Sequence, residues 1–249
     1  MKTIETDKRG LTTRIGVITP DDAVNDDEYQ QYLSPGVTLL WTRYRTVRRF
    51  DPISVDMVAS YGDLEKIREA AETLAITRPH VTMFCCNSCS FVHGPEGDRR
   101  IRETIAAATG GLANSITDSE VQALHALKVK RLALGAPYSE EVTAKLVDYL
   151  QRSGFEVVKL ESLGLNSEWE IGNTPSSAWR NVVKRINSPD AEAVLLACSG
   201  IRTFDVISDL ESELGKPVLS APAVVMWRSL RLAGVQARIP RRGVLFENH

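Results

Sequence analysis

The sequence predicts an α/β protein of two similar lobes, each a parallel sheet flanked by helices, related by pseudo-twofold symmetry. Three observations carry this expectation. Short apolar runs rich in β-branched residues fall at positions 15–19, 37–41, 81–86, 131–136, 157–160, 194–198 and 218–219. Between them the apolar spacing becomes helical, as in Val142, Leu146, Val147 and Leu150 after the cap residue Ser139, or Phe204, Ile207, Leu210 and Leu214 closed by Gly215. Strands alternating with helices imply parallel sheets.

The third observation is that the chain repeats itself. Arg14-Ile15-Gly16-Val17-Ile18-Thr19-Pro20 returns as Arg131-Leu132-Ala133-Leu134-Gly135-Ala136-Pro137: a basic residue, an apolar strand and a proline. Met83-Phe84-Cys85-Cys86-Asn87-Ser88 returns as Leu195-Leu196-Ala197-Cys198-Ser199-Gly200, and positions 112–129 align with 218–235. A repeat of that length means duplicated lobes. They are expected at residues 12–117 and 118–235, with the last helix of each half free to cross onto the other. A tail, residues 236–249, is expected to pack back on the N-terminal lobe.

A chain of 249 residues with 43% hydrophobic content can bury a real core. The net charge is -2 and the charges are interspersed, which argues against a nucleic-acid or membrane partner. The first ten residues carry no apolar signal-peptide core, and the apolar run 193–198 is too short to span a bilayer. A soluble, cytoplasmic protein is expected. Self-association into a homo-oligomer is compatible with the sequence. Cys85, Cys86, Cys89 and Cys198 do not make a disulfide framework, and free thiols are expected.

The repeat places Cys86 and Cys198 at matching strand ends. Active sites in open parallel sheets lie beyond the carboxyl ends of the strands, so both thiols are expected at one shared cleft. Cys85, the strand neighbour of Cys86, is expected to point away from it. Each cysteine is followed by small polar residues, Asn87-Ser88 and Ser199-Gly200, which read as helix caps with outward backbone N–H groups. Such groups would cradle a carboxylate or enediolate and lower the thiol pKa. A thiolate and a thiol on opposite faces could then move a proton with inversion, or add across a double bond and protonate the adjacent carbon. A cysteine at a buried strand end is otherwise a small core hydrophobe, but the matched pair favours chemistry. Cys86-x-x-Cys89 has no second ligand pair to complete a zinc site, and His80, His93, His125 and His249 read as flank, turn or terminal positions. No metal and no cofactor is expected.

At Cys86-Asn87-Ser88-Cys89-Ser90-Phe91-Val92-His93-Gly94 and at Ala197-Cys198-Ser199-Gly200 the sequence resembles the aspartate/glutamate racemase superfamily. Its arylmalonate decarboxylase and maleate cis-trans isomerase branch is the most similar. The resemblance runs through Ala136-Pro137-Tyr138, Ser162-Leu163-Gly164-Leu165, Leu214-Gly215-Lys216-Pro217-Val218 and Gly243-Val244-Leu245-Phe246. It implies that Cys86 and Cys198 are the catalytic thiols. It also implies that Asn87, Ser88, Tyr138, Ser199 and Gly200 bind the carboxylate or enediolate, and that Pro20 lines the pocket. Arylmalonate decarboxylases carry glycine where this chain has Cys86, so the second thiol favours an isomerase or racemase of a small carboxylic acid. Maleate isomerases carry two substrate-gripping asparagines where this chain has Ala23 and Glu168, which argues against maleate itself. Arg43 and Arg45 are either solvent-facing charges or attractors of an anion. The alternatives are a decarboxylase in which Cys198 alone is the proton donor and, in another class, a non-enzymatic binding module for small carboxylates.

Overall fold

A computed structural model of the chain describes residues 13–46, 52–236 and 238–249. The charged stretch at residues 1–10, and residue 12 at the start of the expected first lobe, lie outside the described residues. The first half runs β1 (Thr13–Pro20), α1 (Asp26–Gln30), β2 (Val37–Tyr44), α2 (Val55–Ser60), α3 (Leu64–Ala75), β3 (Val81–Phe84), α4 (Asn87–Val92), α5 (Gly94–Thr109), β4 (Leu112–Ser115) and α6 (Ile116–Ala126). The second runs β5 (Arg131–Ala136), α7 (Glu140–Arg152), β6 (Glu156–Ser162), α8 (Glu168–Gly172), α9 (Ser176–Ile186), β7 (Ala193–Leu196), α10 (Phe204–Leu214), β8 (Val218–Ser220), α11 (Ala221–Leu232) and α12 (Val244–Asn248).

The strand orders are β2-β1-β3-β4 and β6-β5-β7-β8, and every pairing is parallel. One order becomes the other when each label is raised by four, so the internal repeat of the sequence is a repeat of sheets. The central strands β1 and β5 are buried nearly throughout, which is why they read as unbroken apolar runs. A glycine sits in each where a neighbour crowds the backbone. A β-carbon on Gly16 would lie 2.8 Å from Thr82 Oγ1, and one on Gly135 would lie 2.8 Å from Leu196 Cδ2 and Val182 Cγ1.

Helix boundaries follow the local chemistry. Ser139 caps α7 by accepting the Val142 N–H, and Gly215 closes α10 in the left-handed conformation at φ 63°. The apolar stripe of each helix faces a sheet, with Val142, Leu146 and Leu150 of α7 and Leu210 of α10 at zero exposure.

The two halves interlock. Helix α11, from the second repeat, packs on α6, β3 and β4 of the first, where Ser229 Oγ lies 3.3 Å from Asn114 Oδ1. Helix α6 reaches the other way, with the His125 ring centred 4.9 Å from that of Phe155. A division between residues 117 and 118 falls in the first turn of α6. In the tail, Phe246 stacks on Tyr32 at 5.4 Å and Arg242 donates to the Gln31 carbonyl, while the Val244 N–H goes to Glu211 of α10.

Glu28 of α1 ties the lobes at the start of α10. Its Oε1 accepts the N–H groups of Thr203 (2.9 Å) and Phe204 (2.8 Å) and lies 3.2 Å from Thr203 Oγ1. Replacing Glu28 by alanine leaves these donors unpaired in a buried place. We expect a loss of about 1–3 kcal/mol in urea unfolding, with the slope of the transition unchanged.

Candidate active site

Strands β1, β3, β5 and β7 end on the same side of their sheets, and the loops that leave them meet between the lobes. In the first lobe the strand stops at Phe84, two residues earlier than the apolar run suggests. Cys86 becomes the N-cap residue of α4 and is 4% exposed. Its sulfur lies 4.0 Å from Ser88 Oγ, and its carbonyl accepts the Ser90 hydroxyl at 2.9 Å. Tyr44 and Tyr138 both face it. Cys85 takes a different direction and lies against the Tyr29 hydroxyl. Cys89 is buried beneath, its thiol turned to the Cys86 carbonyl.

Cys198 follows β7 with a φ of 97°, in the region that side chains other than glycine rarely enter. First-lobe groups hold it there. Asn87 Oδ1 accepts the Cys198 N–H at 2.8 Å; Asn25 Nδ2 and Tyr29 Oη donate to the Ser199 carbonyl at 2.7 and 2.9 Å. Within the loop, the Gly200 N–H donates to Cys198 Sγ at 3.3 Å. A β-carbon on Gly200 would lie 2.8 Å from Glu168 Oε2 and 3.7 Å from Cys198 Sγ, so the glycine leaves the space in which the thiol and the carboxyl meet.

The expectation that Ser199-Gly200 caps a helix is corrected. Helix α10 starts only at Phe204, and Glu28 takes its first N–H groups. At Cys86 a helix does follow, and α4 leaves its first backbone N–H groups without intrahelical acceptors. The Asn87 side chain, however, is committed to the tie with Cys198 and to Thr117 and Glu120.

The remaining sequence candidates are distributed as follows. Tyr138, just beyond β5, is 1% exposed and has its hydroxyl at Cys198, with Phe91 edge-on at 5.8 Å. Pro20 ends β1 inside the protein, and its carbonyl receives the Ala23 N–H. Arg43 is paired with Asp26 at 2.7 Å, and Arg45 is exposed. His93 bonds the Ala59 carbonyl, His80 accepts the Arg14 N–H and His125 packs on Phe155, each occupied outside the cysteine cleft. Asn25, Tyr29, Thr117 and Glu120 went unnoticed in the sequence. Thr117 and Glu120 share the Ile116/Leu124 face of α6 and both have zero exposure, but a polar residue on that face carries no local mark of its partner.

A family model described as "Arylmalonate decarboxylase" matches residues 53–246, a span that includes both cysteines, Asn87, Tyr138 and Glu168. This chain belongs to the arylmalonate decarboxylase family. Among its relatives is a maleate isomerase of Nocardia farcinica, 26% identical over 239 residues, covering 93% of this chain and 94% of the relative. An arylmalonate decarboxylase of Bordetella bronchiseptica is 27% identical over 187 residues, covering 74% and 78%. A solved structure of the Nocardia farcinica maleate cis-trans isomerase, a cysteine mutant with a covalently bound succinylcysteine intermediate, has a TM-score of 0.86 at 23% identity. It covers 96% of this chain and 99% of that one. Its likeness supports the two-lobe fold.

What separates this arylmalonate decarboxylase family member from the simple thiol-pair expectation is electrostatics. The thiol pKa was expected to fall; burial instead pushes Cys198 well above the usual thiol range, and the Glu168 carboxyl pushes the same way. Tyr138 and the Gly200 N–H oppose this without reversing it. Glu168 itself is half-buried as a residue, but its carboxyl is turned in over Gly200. Burial, and then the charge of Asp22 across the cleft, raise it to about 8. At neutral pH the second-lobe side of the cleft therefore holds a neutral thiol, a neutral carboxylic acid and a phenol kept protonated by burial.

From pH 4.5, the ordinary value for a glutamate, up to about 8, the unfolded chain has released the Glu168 proton and the folded chain keeps it. Stability contributed by this residue accordingly falls as pH rises through that window. Glu168→Gln is expected to lack this component. The melting temperature of the variant relative to wild type should rise from pH 5 to pH 8, as read by calorimetry on both proteins at matched ionic strength.

Proposed function

We propose that this chain is a cofactor-independent isomerase or racemase of a small carboxylic acid, working with Cys86 and Cys198 as its two reacting thiols. The observation that carries the reading is the pairing itself. Two buried cysteines leave equivalent strands of the two sheets, and one side chain, Asn87, follows the first cysteine and holds the backbone of the second. Cys198, kept neutral by burial, suits the acid: its S–H proton goes to carbon. Cys86 then takes the complementary role of base or nucleophile.

For a racemisation, the Cys86 thiolate takes the α-proton and leaves an enediolate, and Cys198 protonates the opposite face. For a cis-trans isomerisation, the Cys86 thiolate adds to one alkene carbon while Cys198 protonates the other; rotation and elimination then release the isomer and return the proton. The succinylcysteine reported for the Nocardia farcinica relative fits the second route. Tyr138 O–H and the N–H groups at the start of α4 are available to stabilise the enediolate oxygens.

A second reading is favoured by the neutral state of Cys198. A decarboxylase needs only one proton donor beside an enediolate, and the arylmalonate decarboxylase of Bordetella bronchiseptica is a relative. Incubation with a panel of alkenoic acids, amino acids and substituted malonates in deuterated water separates the two. An isomerase or racemase gives conversion or α-deuterium without carbon dioxide, and a decarboxylase releases carbon dioxide with one deuterium retained.

If both thiols react, Cys86→Ser and Cys198→Ser each lower net conversion by about a hundredfold or more, because serine is a poor acid and base near neutral pH. Rapid carbon dioxide release from a malonate by Cys86→Gly, abolished in Cys198→Ser, would replace this reading with the decarboxylase. Glu168 also bears on the choice of substrate. An acid beside the second thiol disfavours a dicarboxylate as the pH rises and Glu168 ionises. Glu168→Asn is expected to lower KM for dicarboxylates above pH 8 by about tenfold, measured against a monocarboxylate in the same assay.

A further inference from the structure

Behind the two thiols lies a buried polar cluster that the proposed reaction does not use. Asn87, Ser90, Thr117 and Glu120 all have zero exposure. The Asn87 amide is engaged on both sides: Oδ1 accepts the Cys198 N–H at 2.8 Å, and Nδ2 donates to Thr117 Oγ1 at 3.1 Å and Glu120 Oε2 at 3.3 Å. Thr117 Oγ1 is 2.9 Å from Ser90 Oγ, whose hydroxyl reaches the Cys86 carbonyl at 2.9 Å. One network therefore touches the main chain of both cysteines, and it is anchored on α6.

An asparagine amide has two ends, and only the oxygen end can receive the Cys198 N–H. Flipped, the amide would set NH2 against that N–H and its carbonyl against a carboxyl oxygen. The acceptor that forbids the flip is Glu120. An ionised Glu120 can only accept, and a neutral one still accepts the Asn87 N–H at Oε2 when its proton is on Oε1, which has no hydrogen-bond partner among the described residues. Burial, aided by Asp98, favours that neutral form by raising the group to about 8.

We propose that Glu120 is a positioning residue: it orients the Asn87 amide, which in turn holds Cys198 in its left-handed backbone and aims the thiol at the Gly200 N–H and Tyr138. The role in turnover rests on the reading of Cys198 as a reacting thiol; the role in backbone geometry does not. Relaxation of φ at Cys198 would carry the sulfur off the Gly200 N–H, and with it the alignment on which the proton transfer depends.

The test labels the protein with 13C,15N-cysteine and follows the Cys198 amide and Cα/Cβ resonances, which report its hydrogen bond and its φ. Glu120→Gln keeps an acceptor in place and is expected to preserve the wild-type signals. Glu120→Ala should shift them and raise amide exchange at Cys198 about tenfold. Asn87→Asp sets two carboxyls face to face and should shift them further. Asn87→Asp with Glu120→Gln restores a donor opposite an acceptor and should bring the signals back toward wild type, a coupling that general destabilisation does not produce. If Asn87→Asp does not fold, the contrast between Glu120→Ala and Glu120→Gln decides alone. Wild-type Cys198 signals in Glu120→Ala, with only a lowered melting temperature, overturn the proposal. So does equal disturbance by alanine and glutamine. On a turned-over substrate, Glu120→Ala should lower kcat with KM nearly unchanged. Shifted signals with unaltered kcat would uphold the positioning and overturn the role of Cys198.

Discussion

The hydrogen bond from the Cys198 N–H to Asn87 Oδ1 spans the two lobes at 2.8 Å, and much of the site is arranged around it. A residue with a side chain does not rest at a φ of 97° without compensation, which costs on the order of 1–3 kcal/mol. The compensation comes from the other half of the chain. Asn87 takes the N–H, Asn25 and Tyr29 take the next carbonyl, and Glu28 takes the N–H groups where the loop becomes a helix. Four first-lobe residues thus shape residues 198–204 of the second lobe. The geometry of one thiol depends on the lobe that carries the other.

This arrangement gives the electrostatics their direction. The loop at Cys198 brings together a thiol, a carboxyl and a phenol with little solvent, and each responds to desolvation by holding its proton. Arg43 is spent on Asp26, and Arg202 is spent on Asp27 and on the carbonyls of Val24 and Gly172. On the proposed reading, a site of neutral donors favours a substrate that brings negative charge in one place, where O–H, S–H and N–H groups converge on it. It is poorly suited to two carboxylates once Glu168 ionises.

Much of this was legible in the residues, for a definite reason. The duplicated strands carry the same apolar runs, prolines and cysteines, so both sheets, their parallel sense and the meeting of Cys86 with Cys198 follow from periodicity and self-comparison. Less legible were contacts between residues far apart in sequence. Asn25 and Ser199 are 174 positions apart, and no local pattern joins them. Glu120 lies one turn from both Ile116 and Leu124, on the buried face of α6, yet nothing in the local sequence records that its carboxyl will meet Asn87 of α4. The sign of the Cys198 shift was misjudged for a related reason. The local cue, small residues with free N–H groups, favours the thiolate, whereas the deciding quantity is the water excluded by residues from both lobes.

The crossing of α11 onto the first sheet also governs how anything reaches the thiols. A helix from one repeat lying on β3 and β4 of the other, together with the tail against Tyr32, fastens the halves like clasped hands. Wide separation of the lobes would break buried packing on both sides of the cleft. Yet Cys86 and Cys198 are 4% and 1% exposed, so any reactant needs a way in. Admission must then be local. At the rim, α8 turns Trp169 outward at 69% exposure beside Glu168, while its Ile171 is fully buried and its Gly172 carbonyl accepts from Arg202.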